Sequence, residues 1–163
     1  MLTVDHPAKA LVLTLPWGPS TNTFLRHFVL KGHKHASTCI SEDGRDYFRE
    51  IGHLLIEKKP EKIAGPIAMT IELWPPDRRS IDVDNRAKPI LDALKRRPKD
   101  KDQLPGAWIF ADDDSQVVDL RIVLRAVIPA GKAVVTLTPL GRHWRVALKN
   151  LFDESEEDCP LPG

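Results

Sequence analysis

Two aspartates separated by one residue stand near the middle of the chain, and a run of three more follows at residues 112–114. In an extended segment, the spacing of Asp82 and Asp84 directs both side chains to the same side. Clustered carboxylates repel one another unless a cation binds them, and oxygen-only ligands are those preferred by Mg²⁺ and Mn²⁺. Bound magnesium polarises a phosphoryl oxygen and generates hydroxide from water. The pattern therefore indicates metal-dependent phosphoryl chemistry.

Both acidic motifs also have a purely structural interpretation. An Asp-Val-Asp-Asn stretch before a helix serves as an N-cap, and three consecutive aspartates suit a solvated turn. Lys88, four residues after Asp84, is placed to bind a phosphate or stabilise developing charge. An exposed lysine at a helix start is equally ordinary. Residue types and spacing alone leave the catalytic and structural interpretations open.

Basic residues surround the acidic motifs. Residues 78–101 contain nine Lys or Arg and four Asp, whereas residues 153–163 contain five Asp or Glu and no base. The formal net charge of +1 thus conceals a body that is more basic than the whole. Such charges neutralise nucleic-acid phosphates. We predict DNA contacts from Arg26, Lys31, Lys34, Arg78, Arg79, Arg86, Arg96 and Arg97.

The pattern of apolar residues predicts the elements that must position these groups. Alternating or continuous apolar runs predict strands at residues 10–15, 67–74, 117–128 and 133–140, the third central and the fourth paired back against it. Helical spacing and capping residues predict helices at 41–59 and about 88–97, the second limited at its start by Pro89. Residues 17–35 and 96–106 are expected to be loops. The order predicts a single α+β domain with one mixed sheet packed by two main helices, over residues 1–150.

Composition excludes several classes. The chain of 163 residues has 42% hydrophobic residues, and it lacks the run of roughly 18 apolar residues that spans a bilayer. The N-terminus lacks the pattern of a secretory signal, and two cysteines are too few for a disulfide framework. We therefore expect a cytoplasmic protein with no membrane partner and with an acidic, flexible tail over residues 151–163.

The chain resembles the RusA family of Holliday junction resolvases. The resemblance is carried by DRRSIDVDNRAKPILDAL (residues 77–94) and DDDSQVVDLRI (residues 112–122), and also by LTLPWGPSTN, HFVLKGHKH and DGRDYFREI nearer the N-terminus. It covers roughly residues 11–140. The sequence departs from the family pattern in a longer segment between Leu94 and Ala107, the insertion of residues 95–106, and in three aspartates where two are usual.

The resemblance implies roles for particular residues. Asp82 and Asp84 fall on the two catalytic aspartates, Lys88 on the catalytic lysine, and Asp114 on the third aspartate with Asp113 beside it. Asp112, Asp113 and Asp114 are alternatives for the last metal ligand. Asp92, further along the same helix, is expected to matter much less.

The resemblance also implies an activity. Family members are small homodimeric endonucleases, many from phages or prophages, that use Mg²⁺ or Mn²⁺ and resolve four-way DNA junctions by paired symmetric nicks in recombination and repair. Two alternatives stay open: a non-catalytic protein that binds branched DNA with the same fold, and a metal-dependent nuclease that acts on another DNA structure.

Overall fold

The computed structural model describes residues 9–29, 36–97, 100, 103–111 and 113–141. In chain order the strands are β1 (Leu11–Pro16), β2 (Leu25–Val29), β3 (Ala36–Ile40), β4 (Ile67–Trp74), β5 (Val117–Leu124) and β6 (Lys132–Pro139). The helices are α1 (Thr21–Phe24), α2 (Glu42–Lys58) and α3 (Asp84–Leu94), with a single 3₁₀ turn at Asp114–Gln116. The predicted tail at residues 151–163 lies outside the described residues.

Four strands form a mixed sheet in the order β1-β6-β4-β5. β6 is antiparallel to both β1 and β4, whereas β5 runs parallel to β4. The predicted α+β class and mixed sheet are confirmed. The prediction that residues 117–128 form a central strand paired with β6 is wrong, because β5 ends at Leu124 and lies at the edge of the sheet. The apolar residues of β5 give it the sequence pattern of a buried strand, although Leu120 and Leu124 are 42% and 49% exposed.

A second, two-stranded sheet occupies part of the predicted loop at residues 17–35. β2 and β3 pair antiparallel, from Leu25 opposite Ile40 to Val29 opposite Ala36. No alternating pattern of apolar residues marks β2, because this strand is mostly exposed and has no buried face. The predicted DNA contacts Lys31 and Lys34 lie outside the described residues.

Helix α2 follows its sequence signals closely. Ser41 is buried and its side chain accepts a hydrogen bond from the backbone N–H of Gly44 at 3.1 Å, which satisfies one free donor of the first turn. The helix ends at Lys58, and Lys59 has φ of 45° in the left-handed region before Pro60. The predicted helix at 41–59 is therefore confirmed.

Helix α3 begins at Asp84, four residues before the predicted start, and contains Pro89. Proline has no N–H, so Pro89 cannot donate to the carbonyl of Asn85 as a residue four positions later normally would. The hydroxyl of Thr21 donates to that carbonyl instead, at 2.9 Å. A side chain from α1 thus replaces the missing helical hydrogen bond and ties α1 to the first turns of α3.

The core lies between one face of the mixed sheet and helices α2 and α3. The buried face of β4 is formed by Ile67, Met69, Ile71 and Leu73. Helix residues that pack into the same cluster include Ile51 and Leu55 from α2 and Ile90 and Leu94 from α3. Burial of these residues holds α3 rigidly against the sheet. In the part of the chain that the structure describes, no helix is long and apolar enough to cross a membrane.

Candidate active site

The start of α3 presents the Asp82 and Asp84 carboxylates to solvent. Asp82 accepts a hydrogen bond from the side-chain amide of Asn85 at 2.6 Å, and Asp84 accepts one from the backbone N–H of Asn85 at 2.8 Å. The two carboxyl groups are close enough to share a hydrogen bond, which raises the pKa of Asp82 and lowers that of Asp84. Two carboxylates that compete for one proton form a natural place for a cation.

A second charged cluster lies beside the pair. Asp114, at the start of the 3₁₀ turn before β5, contacts Lys88 Nζ at 3.4 Å and Lys95 Nζ at 3.3 Å through Oδ2. Asp92 Oδ1 lies 2.8 Å from Lys88 Nζ and 3.0 Å from Lys95 Nζ. Asp113 Oδ1 is 3.6 Å from Lys95 Nζ. Lys88 lies one helical turn after Asp84 on α3, and its ammonium group contacts Asp92 and Asp114 of the second cluster.

The contacts within this charged cluster fix the ionisation of Asp114. Partial burial raises the pKa of its carboxyl group, but hydrogen bonds with Asp113 and Lys95 and the charges of Lys95 and Lys88 lower it more, so the net pKa lies below its usual value. Burial lowers the pKa of Lys95, but hydrogen bonds and charges from Asp92 and Asp114 raise it overall. The ion pair between Lys95 and Asp114 is therefore fully formed at neutral pH.

Asp92, which was expected to matter much less, accepts a hydrogen bond from Lys88, a predicted catalytic residue. The sequence indicated for Lys95, at the start of the insertion, only a general part in neutralising phosphates. Their spacing carried the missed signal: Lys88, Asp92 and Lys95 follow one another at four and three residues, which puts all three on one helix face. An alternating-charge stripe on α3 was thus visible in the sequence.

The predicted metal ligands do not form one compact group. Among the described residues, no three His, Cys, Asp or Glu side chains are gathered closely enough to hold a metal ion. The donor chemistry nevertheless fits magnesium, which is commonly held by one or two carboxylates together with water and substrate phosphates. Asp82 and Asp84 supply two such carboxylates. Asp114 is engaged by ammonium groups, and Asp112 lies outside the described residues.

The segment before α1 contacts the first turns of α3 and so helps to position Asp82 and Asp84. Arg86 donates to the carbonyl of Gly18 at 2.6 Å, and its guanidinium lies 4.7 Å from the centre of the Trp17 ring. These contacts and the Thr21 bond join residues 17–21 to the first turns of α3. A polar depression of about 170 Å³ beside Ile81 is lined by Trp17, Arg79 and Arg86, among others. The aromatic ring of Trp17 therefore packs under an arginine and positions the helix start.

The predicted DNA contacts have different surroundings. Arg26, Arg78 and Arg96 are exposed. Arg79 is also exposed but is paired with Asp77 at 2.7 Å. Arg97 lies 3.7 Å from the centre of the Phe48 ring and is paired with Asp100 at 3.1 Å, with 14% of its side chain exposed. Arg97 therefore belongs to the packing between α2 and the segment after α3.

The family model described as endodeoxyribonuclease RusA matches residues 16–138. The chain is 34% identical over 132 residues to the crossover junction endodeoxyribonuclease RusA of Escherichia coli (strain K12), an alignment that covers 80% of this chain and 96% of that protein. The protein of the same name from Enterobacteria phage 82 is 35% identical over 132 residues with the same coverage.

One solved structure resembles this chain only weakly. The periplasmic domain of Helicobacter pylori MotB aligns with a TM-score of 0.33 and 10% identity, covering 94% of this chain and 88% of that one, which is too low to inform fold or function. The sequence matches are much stronger than this structural match, and they span both acidic motifs and the residues between them. On that evidence the chain belongs to the RusA family of endodeoxyribonucleases.

Proposed function

We propose that this protein is a Mg²⁺-dependent endodeoxyribonuclease that resolves four-way DNA junctions by paired nicks, with Mn²⁺ as an alternative metal. The observation that carries the proposal is the position of Lys88, which follows Asp84 by one turn of α3 and whose ammonium group lies 3.4 Å from Oδ2 of Asp114. An ammonium group close to a site that can hold a cation suits a phosphodiester, whose negative charge both a lysine and a bound cation attract. Curated relatives named crossover junction endodeoxyribonucleases support the substrate.

Asp82 and Asp84 are proposed to hold the metal, with Asp114 or Asp113 as a further ligand. When bound, Mg²⁺ supplies charge stabilisation at a phosphoryl oxygen and a more acidic water. Asn85 orients both carboxylates of the pair through its side-chain amide and its backbone N–H. The buried face of α3 keeps this geometry rigid, which reduces the reorganisation needed when substrate binds.

Lys88 is proposed to bind the scissile phosphate. In the structure it donates to Asp92 at 2.8 Å and lies farther from Asp114, at 3.4 Å. About half of its side chain is exposed, so a phosphate can reach the ammonium group. Lys95, only 22% exposed, is fully occupied by carboxylates and keeps Asp114 and Asp92 in place. The two lysines therefore take different roles.

The DNA surface is proposed to include Arg78, Arg79 and Arg86 beside the acidic pair, together with the exposed Arg26 and Arg96. Each guanidinium near the site neutralises backbone phosphates without regard to sequence. Arg97 is left out because its side chain is packed and paired. Lys31 and Lys34 stay predictions from the sequence.

Cleavage of matched substrates tests the proposal. A fixed four-way junction, a flap and a linear duplex of equal length are incubated side by side with Mg²⁺, with Mn²⁺ and with EDTA. We expect symmetric nicks in the junction alone and only with metal. Equal cutting of all three would favour a nuclease for another DNA structure, and tight junction binding with no cutting in either metal would favour the non-catalytic alternative.

The protein is proposed to act as a homodimer in the cytoplasm. A four-way junction has two-fold symmetry and two strands to cut, and one site in each subunit of a symmetric dimer matches both. Relatives from Escherichia coli and from a phage support a place where bacterial DNA is accessible. A domain of residues 1–150 followed by an acidic tail completes the proposal.

A further inference from the structure

Strand β5 leaves an apolar strip uncovered on the core face of the sheet. In its pairing with β4, Leu120, Ile122 and Leu124 lie opposite Met69, Ile71 and Leu73. The β4 residues are at most 1% exposed, whereas Leu120 is 42% and Leu124 49% exposed. The covering layer of the core therefore stops short of the last strand. Exposed apolar residues in a row at a sheet edge mark a contact surface.

The backbone of β5 is open along the same edge. The N–H of Arg125 donates to the carbonyl of Leu73 on β4 at 2.8 Å. Backbone groups of successive strand residues point to opposite sides, so the N–H and C=O groups of Leu120, Ile122 and Leu124 point away from β4. Within the described residues, no strand pairs with that side of β5. Among the described residues, the outward-facing polar groups thus belong to the two exposed leucines, Leu120 and Leu124, and to the partly buried Ile122 between them.

We propose that β5 pairs antiparallel with β5 of a second copy of this chain, about a two-fold axis at Ile122. This register puts Leu120 opposite Leu124 of the partner subunit. It also puts Asp119 opposite Arg125 of the partner subunit, so these two residues each meet a charge of opposite sign, while Arg121 lies opposite Val123 of the partner subunit. Leu120, Ile122 and Leu124 become the residues that exchange backbone hydrogen bonds, as their orientation requires. The proposal rests on the proposed homodimer but is independent of the proposed chemistry.

The charge pattern favours a second copy over an unrelated strand. Arg125 already contacts Glu72, at 2.7 Å through Nε and at 2.5 Å through Nη2, which holds its guanidinium in place, and its remaining N–H groups can donate to a carboxylate across the axis. A single strand that carries apolar, acidic and basic residues in a self-complementary order forms an isologous contact. The opposite edge of the sheet lacks these features, since the core-face residues Leu13 and Leu15 of β1 are 1% exposed and Pro16 ends the strand.

Sedimentation equilibrium tests the register. We expect wild type to be a dimer and Leu120→Glu to raise the dimer Kd by roughly a hundredfold or more, because an unpaired charge would be buried in the contact. Val12→Glu, a substitution at a residue 59% exposed on β1, is the matched control and should leave the Kd unchanged. Since Leu120 is about half exposed in the protomer, the circular dichroism spectrum of the Leu120→Glu variant should match that of the wild type. A monomeric wild type, or a dimer unaffected by Leu120→Glu, would overturn the proposal.

Charge reversal and cross-linking add independent readouts. Asp119→Arg alone should weaken the dimer, and combination with Arg125→Asp should restore it in part, because the pair re-forms with exchanged signs. Ile122→Cys, in a background with Cys39→Ser and Cys159→Ser, should form a disulfide-linked dimer on oxidation, while Val12→Cys should not. Failure of both results would refute the register. Junction cleavage is measured separately: a dimer with this register that cuts no DNA would refute the nuclease proposal alone.

Discussion

The ammonium group of Lys88 lies 2.8 Å from Oδ1 of Asp92, one turn further along α3. The same carboxylate oxygen lies 3.0 Å from Lys95, which also contacts Asp114. Asp92 therefore joins the lysine proposed to bind phosphate to the lysine that holds Asp114. Asp92 thus contacts a residue of the proposed site, and Asp92 variants cannot serve as neutral controls.

We expect Asp82→Asn and Asp84→Asn each to lower junction nicking by orders of magnitude, because each removes a negative ligand of the proposed metal. Single-turnover nicking with Mg²⁺ measures the effect. Asp46→Asn on α2 is the matched control, since Asp46 is exposed and paired only with Arg49 in the structure described. Near-wild-type nicking by either variant would exclude these aspartates as essential ligands. If the aspartates were only caps, each substitution would cost about 1 kcal/mol of stability or less and leave nicking intact.

Metal removal should affect nicking and binding differently. In EDTA we expect no nicking, but the wild-type protein should still bind a junction through its basic residues. Asp82→Asn, Asp84→Asn and Asp114→Asn should bind it as tightly or more tightly, because each reduces repulsion between carboxylates and phosphates. Electrophoretic mobility shift without metal measures this. Weaker binding by all three variants would contradict an acidic site that faces DNA.

Asp92→Asn should lower the nicking rate and leave junction affinity nearly unchanged. The substitution removes the negative charge that Lys88 and Lys95 share. Both ammonium groups are then expected to pair more strongly with Asp114. Lys95→Ala should also lower the rate, because Asp114 loses its closest cation in the structure, at 3.3 Å. Melting temperatures recorded on the same variants separate misfolding from local rearrangement. Full activity in both variants would show that Asp92 and Lys95 are not needed to position Lys88 and Asp114 for cleavage.

Thr21→Val should destabilise the protein by roughly 1–3 kcal/mol, because the carbonyl of Asn85 loses its donor. Chemical denaturation measures the change in the free energy of unfolding. Thr23→Val is the control, since the Thr23 hydroxyl bonds to an exposed carbonyl of Ser20. In a Pro89→Ala background the helix regains its own N–H donor, so Thr21→Val should cost less there. Equal costs in the two backgrounds would show that the hydroxyl does not replace the missing helical bond.

Deletion of residues 153–163 should leave the melting temperature and nicking rate nearly unchanged, because the segment has few apolar residues and no periodicity. Junction affinity at low salt should rise slightly, since five negative charges are removed. Both are compared with the full chain at two salt concentrations. A large loss of stability would show that the tail packs against the body.

The elements whose signals are local can be predicted from the sequence alone. Ser41 and Pro60 bound α2, and alternation from Ile67 to Trp74 predicts β4, because capping, helix breaking and period-two burial depend on neighbouring residues only. The Asp82–Asp84 spacing and Lys88 likewise indicated the start of α3 as a candidate site. These features need no knowledge of the rest of the chain.

Tertiary structure decided what depends on partners distant in sequence. The start of α3 at Asp84 needs Thr21 to replace the hydrogen bond lost at Pro89, so propensity placed the helix four residues too late. The apolar residues of β5 predict a central strand, because the sequence does not show which neighbours cover them. Only the sheet order shows that Leu120 and Leu124 lie at an edge. The contacts of Asp114 with Lys88 and Lys95 arise in the same way, since packing of α3 beside the 3₁₀ turn brings together charges far apart along the chain.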